Sequence, residues 1–203
     1  MKSAFQVFTL LVIGTVFAAA SGARADALRG FILKSGGASY LQVQTENGKS
    51  QRLAIAAQSA IVDTSIKRLK SGDYLVARGA VLPETNSVQI EAIESLGLQA
   101  LVGAWSTSRL EVYEFKDFSR LNLYVPNSDR KGHPIVKAGE FQYAITPDQG
   151  SKYSIFLSSS KDLMVGSIEF RKSRLMLKVV DPKTGEVSAE LSLSPLAGSK
   201  KIQ

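Results

Sequence analysis

The sequence predicts an all-β protein in which a five-stranded barrel is followed by an eight-stranded antiparallel barrel. Short segments of alternating apolar and polar residues recur between residues 27 and 194, and turn residues such as Asn47-Gly48 separate them. In the second part of the chain one face of the sheet is apolar and needs cover, and no helical segment is long enough to supply it. We therefore expect that sheet to close on itself.

The composition is that of a folded protein, and it excludes several kinds of site that depend on Cys or on several His residues. Hydrophobic residues make up 44% of the 203 residues and charged residues 21%, whereas a disordered chain is poorer in apolar residues. The chain has no Cys and one His. This excludes disulfides, thiolate metal sites, Cys nucleophiles, a lipidated cysteine anchor and a histidine-rich metal site. We predict no metal and no cofactor.

Residues 1–25 have the pattern of a cleaved secretory signal peptide. A basic start at Lys2 precedes an uncharged apolar run over residues 5–20, which is shorter than the roughly 20 residues that span a bilayer. Ala23-Arg24-Ala25 then predicts cleavage between Ala25 and Asp26, and Ala25-Asp26-Ala27 is a second such pattern. No later segment could span a membrane, so we expect a periplasmic or secreted protein. The lack of Cys favours a bacterial periplasm.

Residues 26–97 are predicted to form the first barrel, with three strands, a short helix capped by Asp63, and two more strands. This order and spacing resemble an OB-fold, a family that often binds oligonucleotides or sugars. Strands two and three carry a single aromatic residue, Tyr40, for base stacking. The eight basic and seven acidic residues leave a net charge of 8 − 7 = +1. We therefore expect no nucleic-acid partner. The predicted strands cover residues 28–34, 40–45, 51–55, 74–82 and 88–93, and the helix 63–70.

Residues 98–196 are predicted to form the second barrel, and residues 197–203 a basic tail. Alternate positions on its strands are apolar, as Leu121, Leu123 and Val125 are, while the positions between them are polar. No flexible linker precedes it, so the two barrels are expected to touch. The predicted strands cover residues 101–107, 111–118, 120–125, 139–146, 152–158, 163–171, 174–181 and 186–194.

The second barrel resembles the lipocalin-like superfamily. Gly103-Ala104-Trp105 is similar to the G-x-W start of its first strand, residues 139–145 resemble a strand of small bacterial members, and residues 168–177 resemble their closing hairpin. The resemblance implies that Trp105 closes one end and that an apolar ligand occupies the interior. Bulky inward side chains favour a filled interior instead, and both alternatives stay open. The candidate ligand-binding residues are Tyr113, Phe115, Phe141, Tyr143, Tyr153 and Phe170.

Motifs for catalysis are weak. Ser158-Ser159-Ser160-Lys161 and Lys183-Thr184-Gly185 match elements of penicillin-recognising serine enzymes, but both lie in turns between strands and the S-D-N element is missing. His133 is the single imidazole, and it lies in a polar loop between two strands. We interpret Arg130, Lys131 and His133 as a partner-contact loop and expect no enzymatic activity.

The sequence thus predicts a non-enzymatic exported binding or interaction protein that recognises an apolar small molecule or an envelope protein or glycan. One alternative is a periplasmic enzyme inhibitor that uses a barrel loop, and a hydrolase is the third. A small-molecule carrier predicts a cavity above roughly 300 Å³ inside the second barrel. An interaction protein predicts a filled barrel and an exposed apolar patch.

Overall fold

A computed structural model describes residues 26–45, 47–127 and 135–196. Its regular elements are thirteen strands, one α-helix and a single 3₁₀ turn at Pro83–Thr85. The elements of the first part are β1 (Asp26–Ser35), β2 (Ala38–Gln44), β3 (Ser50–Ala57), α1 (Ala60–Arg68), β4 (Tyr74–Leu82) and β5 (Ser87–Gly97). The second part contains β6 (Gly103–Ser106), β7 (Val112–Phe115), β8 (Arg120–Pro126), β9 (Ile135–Pro147), β10 (Lys152–Ser158), β11 (Leu163–Arg171), β12 (Arg174–Val180) and β13 (Val187–Pro195).

The first five strands form a closed ring. Strand β1 pairs with both β2 and β4, β2 pairs with β3, and β4 pairs with β5, all antiparallel. The ring is completed by a parallel pairing of β3 with β5, in which Ile55 lies opposite Val88. A parallel pair needs a long crossover, and α1 with β4 supplies it. The predicted five-stranded barrel is confirmed.

The helix begins earlier than the sequence predicts. Its N-cap is Ser59, whose side chain accepts a hydrogen bond from the backbone N–H of Val62. Asp63 was the expected cap, but it lies in the first turn and forms an ion pair with Lys67 at 2.6 Å. The apolar face of α1 is buried through Val62 and Ile66, so the helix covers one end of the five-stranded barrel.

The last eight strands form an up-and-down antiparallel barrel. Each strand pairs with the next one along the chain, and β13 pairs back to β6 through Ser194 opposite Ser106 and Pro195 opposite Trp105. The inward positions predicted from the alternation are buried, as Ile155 and Leu175 show. The predicted all-β fold class, with an eight-stranded antiparallel barrel, is confirmed.

Most strands differ from the prediction by a few residues, and the differences are largest for β5, which covers residues 87–97 instead of 88–93, and for β7 and β9. Strand β7 ends at Phe115 instead of residue 118, because the carboxylate of Asp117 accepts hydrogen bonds from the backbone N–H groups of Ser119 and Arg120 and forms a tight turn. Strand β9 begins at Ile135, four residues before the expected start, because Ile135 pairs across to β8. The hairpin of β8 and β9 is therefore longer than predicted.

The two barrels share one continuous apolar core. Leu96 at the end of β5 pairs with Ile145 of β9, and Leu98 and Leu101 on the connecting segment are buried. The carboxylate of Asp73 accepts hydrogen bonds from the backbone N–H of Gln99, at 2.8 Å, and from that of Lys70, at 2.7 Å. The five-stranded barrel is thus packed against one end of the eight-stranded barrel. In the part of the chain that the structure describes, no helix is long and apolar enough to cross a membrane.

Candidate functional site

Among the described residues, the first barrel covers one end of the eight-stranded barrel and leaves the other end uncovered. At the covered end, the guanidinium of Arg68 donates hydrogen bonds to the carbonyls of Asp148 and Lys152, on the hairpin between β9 and β10. The Phe118 ring, between β7 and β8, packs on Gly97 of the first barrel. The described strand connections at the other end are residues 107–111, 159–162 and 181–186, and β8 ends and β9 begins there. We call this the open end.

Large aliphatic side chains are exposed at the open end. They lie on or beside the connections, at the beginnings of three strands and at the tip of one turn, and their exposed fractions range from 41% to 68%. Water-exposed apolar side chains are common singly, but several at one end of a barrel are typical of an interaction site. These residues, the aliphatic rim, are Leu110, Ile135, Val136, Leu163 and Val187.

Leu110 is held in place by the turn that carries it. The Thr107 hydroxyl accepts hydrogen bonds from the backbone N–H groups of Arg109 and Glu111, and the Leu110 N–H donates to the Thr107 carbonyl at 3.1 Å. Leu110 itself has a φ of 64°, in the left-handed region that a leucine rarely adopts. Because the Leu110 side chain is 68% exposed, its contacts within the chain do little to offset the cost of this backbone conformation. Such strain is concentrated at functional sites.

The six predicted ligand-binding residues do not converge on one interior cavity. Phe115 and Tyr143 fill the barrel core, with ring centroids 5.3 Å apart in an edge-to-face arrangement. The Tyr143 hydroxyl donates to the Asp117 carbonyl, and burial raises the pKa of this phenol well above its usual range. Tyr143 also lies at the edge of a small cleft beside Phe118.

The other four predicted residues lie in three different places. Tyr113, on β7 opposite Trp105, is half-buried, and burial together with the nearby Glu111 carboxylate raises its pKa. Phe141 lines a surface groove beside the turn at residues 158–160. Tyr153 and Phe170 line a cleft between the two barrels. All six side chains belong to one apolar core or pack against it, and the cleft between the barrels is lined by Tyr153 and Phe170.

The predicted partner-contact loop lies largely outside the described residues. Arg130, Lys131 and His133 fall within residues 128–134, and the predicted cleavage residue Ala25 also falls outside. The strands that flank this loop, β8 and β9, pair up to Pro126 and Ile135 at the open end. Ile135 and Val136 of the aliphatic rim therefore directly follow the loop in sequence.

Sequence reasoning identified none of the residues of the aliphatic rim as site residues. The sequence did hold a signal in one case, an apolar residue that stands alone in a polar turn segment. Leu110 follows the polar stretch Ser106-Thr107-Ser108-Arg109 and is such a case. Among the described residues, no group of three His, Cys, Asp or Glu side chains is placed to bind a metal ion.

Comparison with known proteins adds no relative. The chain matches no protein-family model, no curated protein and no solved structure.

Proposed function

We propose that this chain is an exported, non-enzymatic interaction protein that docks a partner protein through the aliphatic rim. The observation that carries the proposal is the set of five exposed aliphatic side chains at the open end. Full burial of a leucine, isoleucine or valine side chain contributes about 1.5–3 kcal/mol. Five of them, even half-buried on binding, supply several kcal/mol toward the cost of association.

The filled interior of the barrel supports a protein partner over an apolar small molecule inside it. Phe115, Ile145, Ile155 and Ile168 are each fully buried within the barrel. Interiors packed at this level leave few voids larger than a water molecule. An eight-stranded barrel has just enough room for side chains or for one small ligand, and these fully buried side chains favour the first alternative.

The charges around the rim support a protein surface as the partner. Arg109, Lys161 and Lys183 lie on the connections at the open end, and Asp162 and Glu186 lie beside them. An apolar centre with a polar edge of both signs is typical of protein–protein interfaces. An anionic membrane would instead favour a surplus of basic residues.

We also propose that the first barrel is related to OB-folds and the second to lipocalin-like barrels. The ring order β1-β2-β3-β5-β4, with α1 between β3 and β4, supports an OB-like first barrel. The up-and-down order of β6 to β13 supports a lipocalin-like second barrel. Fold alone does not assign function, so the partner is inferred from the rim and not from these families.

Site-specific photo-crosslinking in the producing cells tests the proposal. A benzophenone side chain replaces Leu110 or Leu163 in turn, and Phe156, which is 40% exposed on the outer wall, is the matched control position. We expect a discrete protein adduct from positions 110 and 163 and none from 156. Val187→Asp, which places a charge in the rim, should abolish the adduct. Identical adducts from all three positions, or none from 110 and 163, would refute docking through the rim.

A further inference from the structure

A second cleft lies at the covered end of the eight-stranded barrel, far from the aliphatic rim. It has a volume of about 480 Å³ and is lined by residues of both barrels. Three aromatic side chains form its apolar walls: Trp105, Tyr153 and Phe170. The Trp105 and Phe170 ring centroids are 6.4 Å apart. The volume lies in the range of small-molecule sites, which are mainly apolar with a few polar groups.

Four basic side chains line the same cleft, and three of them have no partner among the residues that the structure describes. Arg68 is engaged, since it donates to two carbonyls and lies 4.4 Å from the centroid of the Tyr153 ring. The side chains of Lys70, Lys172 and Arg174 form neither hydrogen bonds nor ion pairs with the described residues.

The acidic group in the cleft does not neutralise these cations. Asp73 is the acidic residue among those that line the cleft, and it is 4% exposed. Each of its carboxylate oxygens already accepts a backbone N–H, from Lys70 and from Gln99. With four basic residues and one acidic residue, the cleft has a formal charge of 4 − 1 = +3. Uncompensated positive charge beside an apolar wall favours a ligand with the opposite charge and an apolar body.

We propose that this cleft binds a small organic anion. Its flat or apolar body packs on Trp105 and Phe170, beside Tyr153 with its Arg68 guanidinium, and its carboxylate, phosphate or sulfonate contacts Lys172, Arg174 and Lys70. Arginine and lysine are the usual partners of such groups. Aromatic side chains supply a large apolar contact area. This inference does not depend on the proposed docking function, because the cleft and the aliphatic rim lie at opposite ends of the barrel.

The test uses two probes that share one aromatic body. 8-Anilinonaphthalene-1-sulfonate carries the anionic group, and N-phenyl-1-naphthylamine lacks it. Trp105 is the sole tryptophan of the chain, and its indole N–H donates to the Leu101 carbonyl at 2.8 Å. A ¹⁵N-labelled protein therefore shows a single indole resonance, which reports on the cleft. We expect the sulfonate to shift this resonance in a saturable 1:1 titration and to bind about tenfold more tightly than the neutral probe.

Charge variants locate the anionic group. Lys172→Asn and Arg174→Gln should each weaken sulfonate binding about fivefold to tenfold and leave the neutral probe unaffected. Asn suits position 172 because Lys172 has a φ of 53°. Lys178→Gln is the matched control, since Lys178 is exposed on the same strand as Arg174 and does not line the cleft. Raising the salt concentration should weaken the sulfonate and not the neutral probe.

Two results would overturn the proposal. An unshifted Trp105 indole resonance while the dye binds elsewhere would show that the cleft is not the site. Equal affinities for the two probes, or sulfonate binding unchanged in both charge variants, would show that the cleft does not select an anion. The indole resonance of each variant also establishes that it is folded.

Discussion

Gly97 makes room for the ring of Phe118, and this contact joins the two barrels. A Cβ atom at position 97 would lie 2.4 Å from Cγ of Phe118. Gly97 ends the last strand of the first barrel, and Phe118 lies in a turn of the second. The Phe118 ring also stacks on Tyr74, with centroids 6.0 Å apart. Phe31, on the neighbouring strand, meets Tyr74 edge-on at 5.2 Å.

Gly97→Ala should destabilise the protein by about 1–3 kcal/mol, because the added methyl group displaces the Phe118 ring. Urea unfolding gives the free energy directly. In a Phe118→Ala background the same substitution should cost much less, since the ring that it displaces is gone. If the two substitutions are additive, the contact does not explain the need for glycine at this position.

Arg68→Ala should loosen the attachment of α1 to the second barrel. The guanidinium bridges two carbonyls and covers Tyr153, so we expect a loss of about 1–3 kcal/mol in the free energy of unfolding. Arg68→Lys should recover little of it, because an ammonium group cannot reproduce the planar fork. Lys67→Ala is the control: its ion pair with Asp63 is exposed, and we expect a change below about 0.5 kcal/mol. Thermal unfolding separates the three variants.

Asp117 should contribute to the acid sensitivity of the fold. Partial burial acts to raise its pKa, but hydrogen bonds from Ser119 and Arg120 outweigh burial, and the pKa of this carboxyl is lowered overall. Because the folded pKa lies below the unfolded value of about 3.9, this contribution is present at neutral pH and is lost as the pH falls through the folded pKa. The free energy of unfolding, measured between pH 2 and pH 6 (about the range in which Asp titrates), should fall less steeply in Asp117→Asn than in the parent. If the free energy of unfolding depends on pH equally in both proteins, Asp117 does not contribute to the acid sensitivity.

Leu110→Asn should stabilise the protein and weaken partner binding. Asn adopts the left-handed backbone more readily than Leu, and we expect a gain of about 0.5–1 kcal/mol, equivalent to a Tm increase of roughly 1–4 °C. The same change removes an apolar side chain from the rim, so crosslinking from position 163 should decrease. Leu163→Asn, tested by crosslinking from position 110, is the control, because it should weaken binding without the gain in stability.

Strand boundaries were predictable where the alternation of side chains met clear turn residues. Strands β10 and β11 begin and end at the predicted residues, 152–158 and 163–171. The prediction was wrong at the helix cap, where Ser59 and Asp63 both suit an N-cap and only the packing of Val62 and Ile66 selects the earlier start. It was also wrong for β7, where the Asp117 turn interrupts a segment whose alternation continues.

The candidate sites were predictable only in part. Tyr153 and Phe170 were predicted from their inward positions to bind a ligand inside the second barrel; both line the cleft between the barrels, and their role in binding stays a prediction. Lys172 and Arg174 were not identified as candidates, because the sequence does not distinguish a basic residue that faces a cleft from one that faces solvent. Leu110 was not identified either, since strand alternation does not extend into the turn that carries it.

Period-two alternation within short segments was enough to establish the all-β class and the two barrels, because the side chains of one strand sort onto two faces by local geometry alone. The tertiary structure decided which end of the second barrel is covered and which side chains meet in the cleft. That arrangement depends on contacts such as the one between Arg68 and the carbonyl of Lys152, 84 residues away. Every residue has a carbonyl, so no side-chain pattern marks the one that Arg68 binds.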